Sequence, residues 1–206
     1  LGLGASQINA GLSLLLGVED GFAIKFAIIA VVTVIASVSV IRGLNGGIKV
    51  LSNFNMVIAA LLLLFIVVVS SFPQAMEWLV YTSTHYASNF IVLSDWNARD
   101  DAQWMQDWTV FYWAWWVSWS PFVGLFIARI SKGRTVREFL LAVLCIPTLV
   151  TLVWMSMFGM NAITQAQAGI GSLAEGVSSI SLATFQMLEN LPLPEITTSV
   201  GIVLVL

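Results

Sequence analysis

"WTVFYWAWWVSWSPFVGLFIARISKGRTVREF", Trp108 to Phe139, carries the pattern that decides the fold. From Trp108 to Ile130 the only charged residue is Arg129, and Lys132, Arg134 and Arg137 follow it closely. An α-helix rises about 1.5 Å per residue, so the apolar part is long enough to cross roughly 30 Å of hydrocarbon. The basic cluster at its end marks one side of a membrane.

Composition extends this reading to the whole chain. Of 206 residues, 59% are hydrophobic and 9% are charged, and the mean hydropathy is +0.93. A soluble domain carries about 25% charged residues, so this chain could not cover a water-facing surface. We expect an all-α membrane protein with crossings near 1–17, 22–42, 48–69, 108–131, 136–158 and 195–206, forming one transmembrane domain. Segment 73–94 differs. Met76, Leu79, Val80, Tyr86, Ala87, Phe90 and Leu93 keep near-helical spacing with polar residues between them, which suits a helix lying in the membrane interface. "DWNARDDAQWMQD" reads as a polar loop. Thr135 and Glu138 have capping-box spacing at the start of a crossing, and a short polar helix is expected in the Gly-, Ser- and Gln-rich loop after Phe158. The chain begins with Leu1 and stops inside an apolar run at Leu206, and so reads as an internal segment of a longer protein.

Charge sorts these crossings by side. Arg42, Lys49, Arg129, Lys132, Arg134 and Arg137 are six of the eight basic residues, and all fall in turns on one side. Ten of the eleven acids fall on the other, Glu138 being the exception. The positive-inside rule makes the basic side cytoplasmic.

The tryptophans then need a reason. Trp104 and Trp108, beside Asp107, fit an aromatic belt at the headgroups. Trp115, Trp116 and Trp119 do not, because Trp116 lies roughly 13 Å deeper than Asp107 along a helix. An indole N–H at that depth has no water to bond and needs a partner or a cavity. Trp108, Tyr112, Trp115, Trp119 and Phe122 recur at helical spacing as one stripe, with Trp116 on its flank. Ser120-Pro121 follows, and proline frees a carbonyl in the preceding turn. Broken helices at mid-depth are where transporters place their sites. Indole faces suit a quaternary ammonium, which has no N–H and is held by the ring quadrupole.

Trp108 to Phe139, with "GLGASQINAGL" (Gly2 to Leu12), "LSNFNMVIAALL" (Leu51 to Leu62) and "IPTLVTLVWMSMFG" (Ile146 to Gly159), resembles the betaine/choline/carnitine transporter family along nearly the whole chain. The resemblance implies a LeuT-type inverted-repeat fold, of which this chain would be helices five to nine and the start of ten, with 73–94 as the amphipathic helix joining the repeats. It implies a homotrimer in the bacterial cytoplasmic (inner) membrane. Trp116 matches the aromatic-box tryptophan around the trimethylammonium. Trp115 and Trp119 match tryptophans lining the same site and its passage, and Phe122 matches an aromatic beside a sodium site. The other walls of the box would lie upstream, and the sodium-ligating hydroxyls just before Leu1 and beyond Leu206. Sodium-independent exchangers of the family carry an arginine where this chain has Met56, and they lack "SWSPF", present here as Ser118 to Phe122. Both departures imply sodium-coupled symport, with sodium as coupling ion and no cofactor. Sodium-independent exchange or proton-coupled choline uptake is the alternative.

Other classes are less well supplied. No Asp or Glu lies at depth in a crossing, Glu138 and Glu195 standing at the first turns of theirs, His85 sits in the interfacial segment, and Cys145 is the sole cysteine, so an enzyme lacks its usual groups. Cys145 reads as a small buried hydrophobe and His85 as a solvated surface residue. Gln7 and Asn9 either face a substrate pathway or bond a neighbouring helix. Gly2, Gly4 and Gly11 are expected to permit close helix packing. The basic loop from Arg129 to Arg137 is first an orientation signal, and it could also meet anionic lipid or a regulatory terminus; no nucleic-acid partner is expected.

Overall fold

A computed structural model describes residues 2–95 and 100–205 of the chain. Among these the regular structure is helical: α1 Gly2–Leu16, α2 Phe22–Ile41, α3 Lys49–Val69, α4 Phe72–Ser94, α5 Ala102–Trp104, α6 Phe111–Ile130, α7 Val136–Leu140, α8 Ile146–Gln167, α9 Ala183–Glu189 and α10 Pro194–Val205. Wider π turns, Leu44–Ile48, Met105–Val110 and Leu141–Cys145, lead into α3, α6 and α8. Four continuous runs are long and apolar enough to cross a membrane: Phe22–Ile41, Gly46–Val69, Ala102–Ile130 and Val136–Gln167. The amphipathic α4 is not among them, and α10 is a shorter apolar helix. The protein is an all-α, multi-pass membrane protein.

Two helical runs extend further than the sequence reading placed them. The run into α6 starts at Ala102, inside the expected polar loop, whose residues 96–99 lie outside the described ones. Gln103 Nε2 donates to both carboxylate oxygens of Asp107, at 3.0 and 3.1 Å, one turn along the helix. Such an i,i+4 pair stabilises a helix start. The run through α8 continues past Phe158 to Gln167, because Asn161 and Gln165 find partners without unwinding the backbone.

The chain divides into two compact units, Leu1–Trp78 with Trp154–Leu206, and Leu79–Val153. In the first, α1 packs on α2 and α10, and α10 also packs on α3 and α9. Gly11 makes the approach of α1 possible. A Cβ there would fall 2.6 Å from Ile202 Cγ1 and 2.8 Å from Phe185 Cζ. At Gly4 it would make ordinary contact with Val205 Cγ1 at 3.8 Å, and at Gly2 it would meet nothing within 4 Å. Of the three glycines, only Gly11 is required for packing.

The short helix expected to be polar, α9, is central to this unit. Phe185, Met187 and Leu188 are at most 1% exposed. Gln186 is buried with them, and its amide is fully used. It accepts from the Ser178 N–H at 3.2 Å and donates to Ser172 Oγ at 3.2 Å and Ser178 Oγ at 3.1 Å. A buried amide is tolerated when its donors and acceptor are paired.

Asn9 is fully buried. Its Nδ2 donates to Asp20 Oδ1 at 2.6 Å, and Lys25 Nζ reaches the same oxygen at 2.6 Å. Asn9 is therefore tied to the α1–α2 turn rather than to a neighbouring helix. The hydrogen bond from Lys25 is the main reason the Asp20 carboxyl lies below its ordinary value, against a smaller opposing effect of desolvation.

In the second unit, the capping box forms at the start of α7. The Glu138 N–H donates to Thr135 Oγ1 at 3.3 Å, and the Thr135 N–H donates to Glu138 Oε2 at 3.0 Å. Cys145 corrects the sequence reading, since it is an exposed free thiol. It lies in a stretch, Leu144 to Thr151, that is exposed throughout. His85 is exposed on α4, with its ring 4.1 Å from that of Tyr81.

Candidate functional site: an aromatic ladder on α6

The helical spacing of the aromatics becomes a chain of ring contacts. Trp108 stacks on Tyr112 at 6.3 Å between centroids, and Tyr112 on Trp115 at 5.9 Å. Phe111 meets Trp115 edge-on at 5.8 Å. Trp119 then takes both branches, Trp115 at 6.5 Å and Trp116 at 5.9 Å. All lie within the 4.5–7 Å range of favourable aromatic pairs. The structure therefore brings Trp115, Trp116 and Trp119 together. Phe122 continues the register but is 73% exposed and has no ring partner among the described residues. Met56 lies on α3, in the first unit, and is exposed.

The ladder stays open on its outer side. No residue of α6 is buried, and Trp116 keeps 59% of its surface. Among the described residues, none of the Trp115, Trp116 and Trp119 indole N–H groups has an acceptor. The rings brace one another while their faces and N–H groups remain available.

The helix is repaired locally where proline interrupts it. Pro121 has no N–H for the Val117 carbonyl. Ser120 Oγ donates to that carbonyl at 3.0 Å. Ser118 Oγ donates to the carbonyls of Ala114 at 2.9 Å and Trp115 at 3.0 Å. Such back-bonding is common for serine in helices, and here it keeps α6 continuous through Pro121.

The chemistry available is recognition rather than acid–base work. From Phe111 to Ala128 there is no charged side chain. Among the described residues, no three His, Cys, Asp or Glu side chains could hold a metal ion together. What α6 offers is a set of π faces in a low-dielectric span, and such faces attract a cation that cannot be bound through hydrogen bonds.

The sequence reading missed one polar cluster. Ser70, Asn161, Gln165 and Asn190 are joined in series by hydrogen bonds in the first unit. The available signal was Asn161 and Gln165, one helical turn apart at the end of an apolar run.

Four apolar runs of membrane-crossing length, one of them carrying an aromatic ladder, define a multi-pass helical membrane protein. The chain belongs to the betaine/carnitine/choline transporter family, whose model matches residues 1–206. It is 53% identical to a glycine betaine/proline/choline/ectoine transporter of Vibrio parahaemolyticus, over all of this chain and 37% of that protein. It is 42% identical to a glycine betaine transporter of Bacillus subtilis, over all of this chain and 40% of that protein. A high-affinity choline transport protein of Escherichia coli is 43% identical over 85% of this chain and 26% of its own length. The chain thus spans two fifths or less of these relatives. They are transporters, and nothing in the family points to an enzyme.

Proposed function

We propose that this chain forms part of a secondary active transporter that moves a quaternary-ammonium compatible solute, such as glycine betaine or choline, by sodium-coupled symport. The observation that carries this reading is the contact of Trp115, Trp116 and Trp119 on one span, with no carboxylate among them. A trimethylammonium is a permanent cation with a greasy shell. Ring faces can hold it, and desolvated contacts reach about 2 kcal/mol each. A carboxylate at the same depth would also attract small hydrated cations, which the rings do not favour. Trp116 supplies the principal face, Trp115 and Trp119 line the site and its approach, and Phe122 stands beside an ion site. The names of the relatives support this class of cargo.

The LeuT-type inverted-repeat fold, the homotrimer, the inner-membrane location and the interfacial placement of α4 belong to the same proposal. So does the division of the chain into the crossings set out from sequence.

Met56 sets the coupling. A thioether carries no charge and leaves room for a sodium ion as co-substrate. An arginine there would repel sodium by on the order of 4 kcal/mol at 4 Å in a medium of dielectric constant 20. The test is uptake of labelled glycine betaine into proteoliposomes holding the full carrier, with external sodium replaced by potassium. Uptake should collapse on replacement, and Met56→Arg should weaken that dependence even if total uptake falls. Wild-type uptake that ignores the replacement would overturn symport in favour of exchange or proton coupling.

A further inference from the structure

The polar cluster belongs to the first unit and shares no residue with the ladder. Asn161 and Gln165 stand one turn apart on α8, 6% and 7% exposed. Asn161 Nδ2 donates to Ser70 Oγ at 3.0 Å. Gln165 Nε2 donates to Asn161 Oδ1 at 2.6 Å and to the Met187 carbonyl at 3.3 Å. Asn190 Nδ2 donates to Gln165 Oε1 at 2.9 Å and to the Gln186 carbonyl at 3.1 Å. Each amide thus orients the next, and the series ends on the corner between α3 and α4.

That corner is strained. Ser71 has φ 66°, in the left-handed region that a residue with a side chain rarely adopts. Such a conformation persists only where its surroundings over-determine it, and it is typical of switch regions. Here the Ser70 hydroxyl is held from α8 on one side, and the Ala75 N–H donates to the Ser71 carbonyl at 3.0 Å on the other. The connectivity gives this corner reach. The chain leaves the first unit along α4, after Trp78, and returns along α8, at Trp154. The bond between Ser70 and Asn161 ties the root of the outgoing helix to the returning one.

We propose that Asn161, acting through Ser70, is a positioning residue that holds the α3–α4 corner in its strained form, and that release of this corner belongs to the translocation step and not to substrate binding. The inference rests on the transport reading above. Hinges are a few residues at element ends that absorb a φ/ψ change. Ser71 meets that description, with a relaxed conformation available once the clasp opens.

The test uses the full carrier in proteoliposomes. Asn161→Ala should lower the maximal uptake rate of glycine betaine about fivefold, the size one net hydrogen bond carries. The dissociation constant, read by tryptophan fluorescence, should stay within about twofold. Ser70→Ala should do the same, and Ser70→Thr, which keeps the hydroxyl, should recover the rate. Ser71→Gly, which removes the left-handed penalty, should restore the rate in the Asn161→Ala background. A purely packing role for Asn161 predicts no such rescue. A rate near wild type in Asn161→Ala, or a loss that Ser71→Gly leaves in place, overturns the proposal. Should Asn161→Ala fail to fold, Ser70→Ala removes the same bond and is held to the same outcomes. Amide exchange over residues 68–76 gives a reading independent of transport. It should quicken in Asn161→Ala and slow again with Ser71→Gly. Should the wild-type carrier move no betaine, the transport reading fails, and unchanged exchange in Asn161→Ala would then defeat the clasp separately.

Discussion

Ser120 Oγ lies 3.0 Å from the carbonyl oxygen of Val117, the acceptor that Pro121 leaves without its backbone donor. The serine stands in for the missing N–H, so the two residues form one local device. Ser120→Ala should therefore cost about 1 kcal/mol of stability. Pro121→Ala returns the N–H, and Ser120→Ala made on top of it should cost little. Thermal unfolding of the four proteins in detergent closes this cycle. Equal losses for Ser120→Ala in both backgrounds would show that the hydroxyl is not replacing the proline's donor.

Trp116 meets Trp119 at 5.9 Å, and its outer face is uncovered. In the full carrier, Trp116→Leu should weaken glycine betaine binding by roughly thirtyfold, the equivalent of one desolvated cation–π contact. Trp116→Phe should keep part of the affinity. Because the side chain is not part of a packed core here, expression should hold for both. Binding by Trp116→Leu close to that of wild type would remove the residue from the site.

Orientation can be read with thiol chemistry. Cys145 is exposed, so it must first be replaced by alanine. In that background, Lys132→Cys should resist a membrane-impermeant maleimide in intact cells, and Ala102→Cys should react. The opposite pattern would invert the assignment made from the basic turns.

Gly11 faces Ile202 and Phe185 at distances that admit no methyl group. Gly11→Ala should lower stability by about 1–3 kcal/mol, as overpacking does. Gly2→Ala, in open space, should stay within about 0.5 kcal/mol of wild type. Unfolding midpoints compared side by side would test this, and equal effects of the two changes would contradict the packing of α1 on α10.

What could be read from the residues alone was what depends on near neighbours. Thr135 and Glu138 are three apart, and their reciprocal bonds follow from helix geometry. The same holds for the stripe through Tyr112, Trp115 and Trp119, whose rings meet because one turn separates them. Gln186 and Asn161 were illegible for the opposite reason. Gln186 bonds to Ser172 and Ser178 in the stretch before α9, and Asn161 reaches back to Ser70, so no helical period pointed to these partners. Gly2, Gly4 and Gly11 are chemically identical, and only the arrival of α10 distinguishes them. Cys145 belongs to an apolar stretch, Leu144 to Thr151, that is exposed throughout, and hydropathy alone does not tell a covered apolar residue from an uncovered one.

The first compact unit is built from two stretches of chain with another unit between them. A ribosome adds roughly 5–20 residues per second. The helices up to Trp78 are therefore made well before Phe185, the ring that fills the notch at Gly11, and roughly 5–20 seconds pass in between. During that interval the notch at Gly11 has neither Phe185 nor Ile202 to fill it, and α3 ends at a corner that Asn161 does not yet clasp. The first unit therefore closes only after the second has been made. A chain that stops anywhere before α9 lacks the residues that complete the packing of α1.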